Sequence, residues 1–267
     1  YPEYKATREK MPEEMQDQLP YLWKLLNAMH IPTIEKPGFE ADDIIGTISK
    51  DALNHNLDTY IVSGDKDLMQ LVNENTYVYS PGNRFKPTTI YDNKKVTEKW
   101  GVKPDKIIEF LALMGDTSDN IPGVEGVGQK TAGKLLNEYE NIDLIFENAE
   151  NVKNKRVSNG LVKAREYYKT SLKLVTIDLN VPIENEIDSL KRKPANGPQL
   201  VELLQSYELY SLQKQIDGIL IDETIESTIP KIEKNYQLID SIESLKNICK
   251  QIEKVEFLAI DTETTSA

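Results

Sequence analysis

GFEADDIIGTISKDALNHNLDTYIVSGDKD, residues 38–67, sets the fold and gathers the chemistry. Pro37 and Gly38 break the chain, after which Ala41, Ile44, Ile45, Ile48 and Ala52 recur at the spacing of one apolar helix face. Residues 58–62 (DTYIV) are a short β-branched and aromatic run closed by Ser63 and Gly64, and residues 66–72 then read as helix. The spacing predicts helix, strand, turn and helix, with the strand in a parallel sheet. Glu40, Asp42 and Asp43 fall in the first turn of the first helix. Asp65 and Asp67 lie just past the C-terminal end of the strand, where open α/β sheets bind their ligands.

Carboxylates so placed need neutralising. Two charges about 4 Å apart repel by roughly 1 kcal/mol in water and about 4 kcal/mol at an effective dielectric near 20, so either some protonate or a cation joins them. Hard oxygens in this number suit Mg²⁺ or Mn²⁺, and two such ions about 3.5 to 4 Å apart commonly drive phosphodiester hydrolysis. The same acids also suit ordinary capping, because a helix's first turn favours negative charge. Spacing alone leaves both readings open. An EF-hand loop is excluded at Asp65 and Asp67, since neither the Gly nor the closing Glu stands where that loop needs it.

The wider composition narrows the classes. The chain has 267 residues, with 32 Lys and Arg against 44 Asp and Glu and a net charge of −12. That balance by itself weighs against a nucleic-acid partner, so a nuclease would need a local basic face. Cys249 is the one cysteine, which excludes a disulfide framework and a cysteine zinc site and fits a reducing cytoplasm. No run reaches the length of a membrane span and no signal peptide is visible. A start at Tyr1 and an end at Ala267 shortly after an apolar strand suggest a fragment cut at both ends.

Before the acid stretch, residues 1–19 read as turn and then helix, with Lys5 and Arg8 three apart on one helix face, either to hold a phosphate or to face water. Residues 19–29 read as an amphipathic helix with Trp23 in the core, followed by a short extended piece over 31–34. After it, 76–79 and 88–91 suggest a hairpin around Pro81, Gly82 and Asn83, and 94–100 and 104–114 suggest helices. Asp116 and Asp119 add carboxylates at a helix end.

GDTSDNIPGVEGVGQKTAGKLL, residues 115–136, is the second informative stretch. Gly126, Val127 and Gly128 make a tight turn before a helix that begins Gln129, Lys130, Thr131 and carries Lys134. Glycines there permit close backbone approach, and the free N–H groups of a helix start can grip a phosphate, as in a helix-hairpin-helix DNA clamp. Residues 153–173 hold seven Lys or Arg and one Glu. Interleaved with Tyr167 and Tyr168, they suit either a phosphate-tracking surface or a solvated helix face.

FEADD, SGDKDLMQLV and LMGDTSDNIPGVEGVGQKTA, in that order and spacing, resemble the 5′ nuclease domain of the bacterial DNA polymerase I family, within the flap endonucleases. The opening YPEYKATREKMP is similar to that family's helical arch, and the likeness runs from Tyr1 to about Gly218. Residues 255–264 (VEFLAIDTET), with Asp261 and Glu263, resemble the first motif of the 3′-5′ proofreading domain that comes next in the same proteins. The resemblance implies two Mg²⁺ or Mn²⁺ ions: Glu40 and Asp42 in a first site, Asp65, Asp67 and Asp119 in a second, Asp43 and Asp116 in support. Asp65 and Asp67 are thereby implied as catalytic. It further implies Lys5 and Arg8 facing the scissile phosphate, and Gly126 to Lys130 with Thr131 and Lys134 on the duplex backbone, with K⁺ bridging turn carbonyls to a phosphate. The implied partner is DNA at a 5′ flap, nick or single-strand to duplex junction, cut by a monomer in replication and repair in a bacterial cytoplasm. Two early Asp ligands of the family would lie upstream of Tyr1.

The fold expected is α/β, a mixed and mainly parallel sheet of the PIN-like 5′ nuclease type, with an all-helical helix-hairpin-helix subdomain. Its parts are a nuclease domain over 1–120, a DNA-binding subdomain over 121–216, a linker over 217–234 and the start of a proofreading domain over 235–267. Rival readings are a free-standing 5′ nuclease, a structure-specific DNA-binding module without catalysis, and a Mg²⁺-dependent phosphatase, the last leaving the hairpin and the basic stretch unexplained.

Overall fold

A computed structural model describes residues 1–184, 187–217, 238–253 and 257. The proofreading strand expected over 255–264, with Asp261 and Glu263, and the expected linker past its first residue lie outside them. The chain divides into two compact units, Tyr1–Leu220 and Ile221–Ala267.

In the first unit, α1 (Glu13–Gln16) and α2 (Leu19–Ala28) precede α3 (Ala41–Asn54). A capping box starts α3: Glu40 receives the N–H of Asp43, and the Asp43 carboxylate receives that of Glu40. Strand β1 (Thr59–Val62) comes next, its β-branched residues suited to extended backbone. A short 3₁₀ turn over Asp67–Leu71 buries Leu68, Met69 and Leu71. β2 (Thr76–Ser80) runs parallel to β1 with Thr59 opposite Thr76, and β3 (Thr89–Tyr91) returns antiparallel to β2. The sheet order β1-β2-β3 thus combines a parallel pair and a hairpin, and β1 is an edge strand among the described residues.

α4 (Asn93–Trp100) and α5 (Ile107–Met114) lead into the helical half: α6 (Gln129–Glu138), α7 (Ile142–Glu147), α8 (Lys155–Ala164) and α9 (Tyr168–Val175). Five of the eight residues of α5 are buried. It joins the halves: one core runs from Val78 and Leu68 through Phe110 and Leu113 to Leu135, Ile145 and Leu161. The acids beside the sheet and the glycine turn of the helical half therefore sit on one rigid core. α10 (Gly197–Ser206) and α11 (Tyr210–Asp217) complete the unit, with Leu200 and Leu204 packing on Ala28 of α2 as a small second core. The second unit shows α12 (Ile242–Ile252), capped by Ser241 and Ser244.

Three expectations are corrected. Lys5 and Arg8 share no helix face: residues 2–7 are turns, Lys5 has a left-handed φ of 57°, and helix starts at Glu13 after Pro12. Trp23 is not core, because α2 has one partner, α10, and turns Tyr21, Leu22 and Trp23 outward. Tyr167 and Tyr168 do not serve a phosphate-tracking surface with their hydroxyls, which donate to Gly123 O at 3.0 Å and to Asp143 Oδ1 at 2.8 Å. Among the described residues no helix is long and apolar enough to cross a membrane.

Candidate active site

The turn after β1 is built by its own side chains. Ser63 N continues the sheet by donating to Tyr79 O, Ser63 Oγ accepts from Asp65 N at 3.0 Å, and Asp65 Oδ1 accepts from Asp67 N at 3.0 Å. These bonds bend the chain so that Asp65 and Asp67 cap the strand end, and the buried Leu68 and Met69 anchor the 3₁₀ turn to the core. The start of α3 packs beside β1 and brings Glu40, Asp42 and Asp43 alongside. A third contribution comes from residues 116–121, closed by reciprocal bonds between Asp116 and Ile121 at 2.9 and 2.7 Å. Gly115 makes that loop possible: its φ is 72°, and a Cβ there would lie 2.3 Å from Gly123 N.

The acids fall into three chemical groups. Glu40, Asp116 and Asp119 are each held by a cation. Lys5 Nζ donates to Glu40 Oε2, Arg8 pairs with Asp119 through Nε at 3.0 Å, Lys5 also lies 3.8 Å from Asp119, and Lys66 Nζ lies 2.6 Å from Asp116. Burial alone would raise the Glu40 and Asp116 carboxyls, but hydrogen bonds from Lys5 and Tyr4 in one case and from Lys66 in the other outweigh it and hold both below their ordinary values. Asp43 is structural: besides its capping role, its Oδ1 accepts from Asp178 N at 2.8 Å and ties α3 to the chain after α9.

Asp42, Asp65 and Asp67 make up the third group and enter no ion pair among the described residues. Asp67 is pushed up to about 7, first by burial and then by the charge of Asp65, and its Oδ1 is buried without a hydrogen-bond partner. Asp42 is likewise raised by burial and by Asp65. Among the described residues no three His, Cys, Asp or Glu side chains close on one point tightly enough to hold a metal. The single acid cage suggested by the spacing is thus divided, because cations and a cap engage four of its seven members. The remaining three still fit a hard divalent cation: all their donors are carboxylate oxygens, and Asp67 Oδ1 is an orphaned acceptor that such an ion would satisfy.

Sequence reasoning missed two residues here. Tyr4 hydrogen-bonds both Lys5 and Glu40, and burial pushes its hydroxyl up to about 12. Lys66 was legible as a cation between two acids, but its partner lies 50 positions away.

In the helical half, Gly126 has a left-handed φ of 84° and turns the chain into α6, whose N-cap Gly128 offers no side chain to its first N–H groups. The space where a Gly128 Cβ would sit is open, and Lys130 and Lys134 are exposed beside it. Thr131 is half-buried, Gln129 Nε2 donates to Lys99 O at 2.7 Å, and Val127 is buried, so its side chain serves the core. Gly160 of α8 lies so close to this turn that a Cβ would meet Glu125 O at 2.1 Å.

Acids at the C-terminal end of parallel strands, cations set among them and an uncapped glycine-turn helix on the same core define a nuclease of the α/β class. The chain belongs to the 5′-3′ exonuclease family: residues 1–101 match its N-terminal resolvase-like domain and residues 102–198 its C-terminal SAM fold. A 5′-3′ exonuclease of Aquifex aeolicus is 37% identical over 220 residues, 82% of this chain and 73% of that protein. DNA polymerase I of Caldicellulosiruptor bescii is 38% identical over 218 residues, 81% of this chain. The chain spans about a quarter of the length of that polymerase, 26%. Among solved structures, the T5 D15 protein co-crystallized with metal ions superposes with a TM-score of 0.54 at 26% identity, covering 67% of this chain and 68% of its own.

Proposed function

We propose that this 5′-3′ exonuclease cuts DNA near a 5′ flap, nick or single-strand to duplex junction with Mg²⁺ or Mn²⁺ held by Asp42, Asp65 and Asp67, as one part of a longer DNA polymerase I. The observation that carries the metal assignment is the division of the acids: three paired with cations, one used as a cap, three left open with a buried orphan oxygen among them. A bound divalent ion would activate water and stabilise charge on the phosphate.

The chain's own residues do the rest. Lys5 and Arg8 stand beside the open acids, where their charges can neutralise an entering phosphate. Glu40 and Asp119 keep both cations in place until then. The N–H groups at the start of α6, with Lys130 and Lys134, grip the duplex backbone. Such contacts position the duplex without reading its sequence. Acids and cations thus belong to residues 1–120 and the clamp to 121–216.

A 5′-labelled flap duplex tests this. Asp65→Ala should reduce Mg²⁺-dependent cleavage by orders of magnitude while binding in Ca²⁺ stays largely intact. Equal loss of binding and cleavage would remove the metal-ligand role. Binding of the junction without cleavage by the unaltered protein would leave a clamp without catalysis.

A further inference from the structure

Lys66 stands between Asp65 and Asp67, yet its ammonium reaches across to another loop. Nζ lies 2.6 Å from Asp116 Oδ2, and that carboxyl group is only 11% exposed. Its other oxygen, Oδ1, accepts from Ser118 N at 2.7 Å and Asp119 N at 3.3 Å. The backbone of Asp116 closes the loop with Ile121 in both directions. That loop delivers Asp119 to Arg8 and, through Asp119 O, accepts the backbone N–H of Lys5 at 2.9 Å. A chain of contacts therefore runs from the open acids through Lys66 and Asp116 to the two cations of the amino-terminal segment. No other ion pair among the described residues links the turn over 63–67 to the loop over 116–121.

We propose that Lys66 is a positioning residue for the nuclease reaction: through Asp116 it fixes the 116–121 loop against the acid turn, and so sets where Lys5 and Arg8 meet the substrate. The inference rests on the 5′ nuclease reading above. Two carboxylates flank Lys66 in sequence, but the geometry commits its charge to Asp116. Removing one partner of such a pair leaves an uncompensated charge in a partly buried place, which is more damaging than removing both. Lys66 thereby predicts a sign that a direct contact with DNA would not give.

The test compares Lys66→Met, Lys66→Arg, Asp116→Asn and the double variant K66M/D116N. Asn at 116 keeps an oxygen for the Ser118 and Asp119 N–H groups while removing the charge. Two readouts are used: Mn²⁺ binding without DNA, monitored by electron paramagnetic resonance, and kcat and KM for a 5′-flap duplex in Mg²⁺. K66M should lose at least tenfold in kcat with KM within about twofold, and should bind Mn²⁺ at least threefold tighter because Asp116 is left without its counter-charge. K66R should recover most of both. Adding D116N to K66M should raise kcat at least threefold above K66M alone and abolish the gain in Mn²⁺ binding.

Wild-type values for K66M in both readouts would overturn the proposal. So would a double variant no better than K66M, which would place Lys66 on the substrate itself. Should K66M alone fail to fold, a cooperative melt recovered in K66M/D116N supports the pairing. The Mn²⁺ measurement needs no cleavage: an uncleaved flap with the Mn²⁺ pattern intact would remove the nuclease reading and leave the Lys66 strut standing.

Discussion

Asp67 joins two properties that a surface acid does not share: a buried oxygen without a partner and a pKa pushed up to about 7 by burial and by Asp65. In the absence of metal its proton is retained in the folded chain well above the ordinary 3.8. The folded state therefore binds more protons than the unfolded one between these values, and stability must fall as pH rises through that window. The full contribution of the protonated group is present below 3.8, and nothing more is lost above about 7. Asp67→Asn, which cannot ionise, should raise Tm in metal-free buffer, by more at pH 8 than at pH 4; calorimetry at both values decides, and an equal gain would mean Asp67 is ionised throughout. Asp43 makes the opposite case. Its carboxylate completes the start of α3 and receives Asp178 N, so Asp43→Ala should cost about 1 to 2 kcal/mol in urea unfolding. Both aspartates read alike in FEADD and SGDKD. Capping was an open reading there, but which acid caps and which stays open depends on partners up to 135 positions away.

Elements whose hydrophobic period matched their burial were legible. α3, β1, the β2–β3 hairpin and α5 each sit where apolar spacing placed them, because each buries one face against a single continuous core. The amino-terminal segment was not legible in the same way: Lys5 adopts left-handed backbone and is tied to Asp119, and Glu3 beside it to Asn120, contacts with no local signature. The Gly126 turn was legible as a string, yet its support from α8 was not. Gly128 and Gly160 separate the two roles. Gly128 faces open space in extended backbone, so Gly128→Leu should change stability by about 1 kcal/mol or less while weakening binding to every duplex sequence alike. At Gly160 the added Cβ of Ala would meet Glu125 O at 2.1 Å, so the cost falls on the fold, about 1 to 3 kcal/mol, before any DNA is present. Fluorescence anisotropy beside a urea melt distinguishes them, and a Gly160→Ala protein of normal stability would show that α8 does not support the turn.

At the scale of the whole molecule, a chain of net charge −12 must bind a polyanion through a face that opposes its own field. The seven cations of residues 153–173 are the obvious source by composition, but the fold has already committed two of them. Lys163 pairs with Glu125 at 3.2 Å, and Arg165 pairs with Glu150 at 2.9 Å while also donating to Phe146 O. Lys130 and Lys134 are exposed beside the open start of α6 and enter no ion pair among the described residues. Phosphate contacts release counterions, so each one lost lowers the slope of log affinity against log salt by about 0.9. Lys130→Gln with Lys134→Gln should therefore flatten that slope by about 2 and weaken binding most at low salt. Lys163→Gln with Arg165→Gln should leave the slope nearly unchanged, because those charges already face carboxylates, and should appear instead in the unfolding free energy. A slope that flattened only in the second pair would move the DNA-binding face from the α6 start to the far side of α8, and with it the direction in which the duplex approaches the acids.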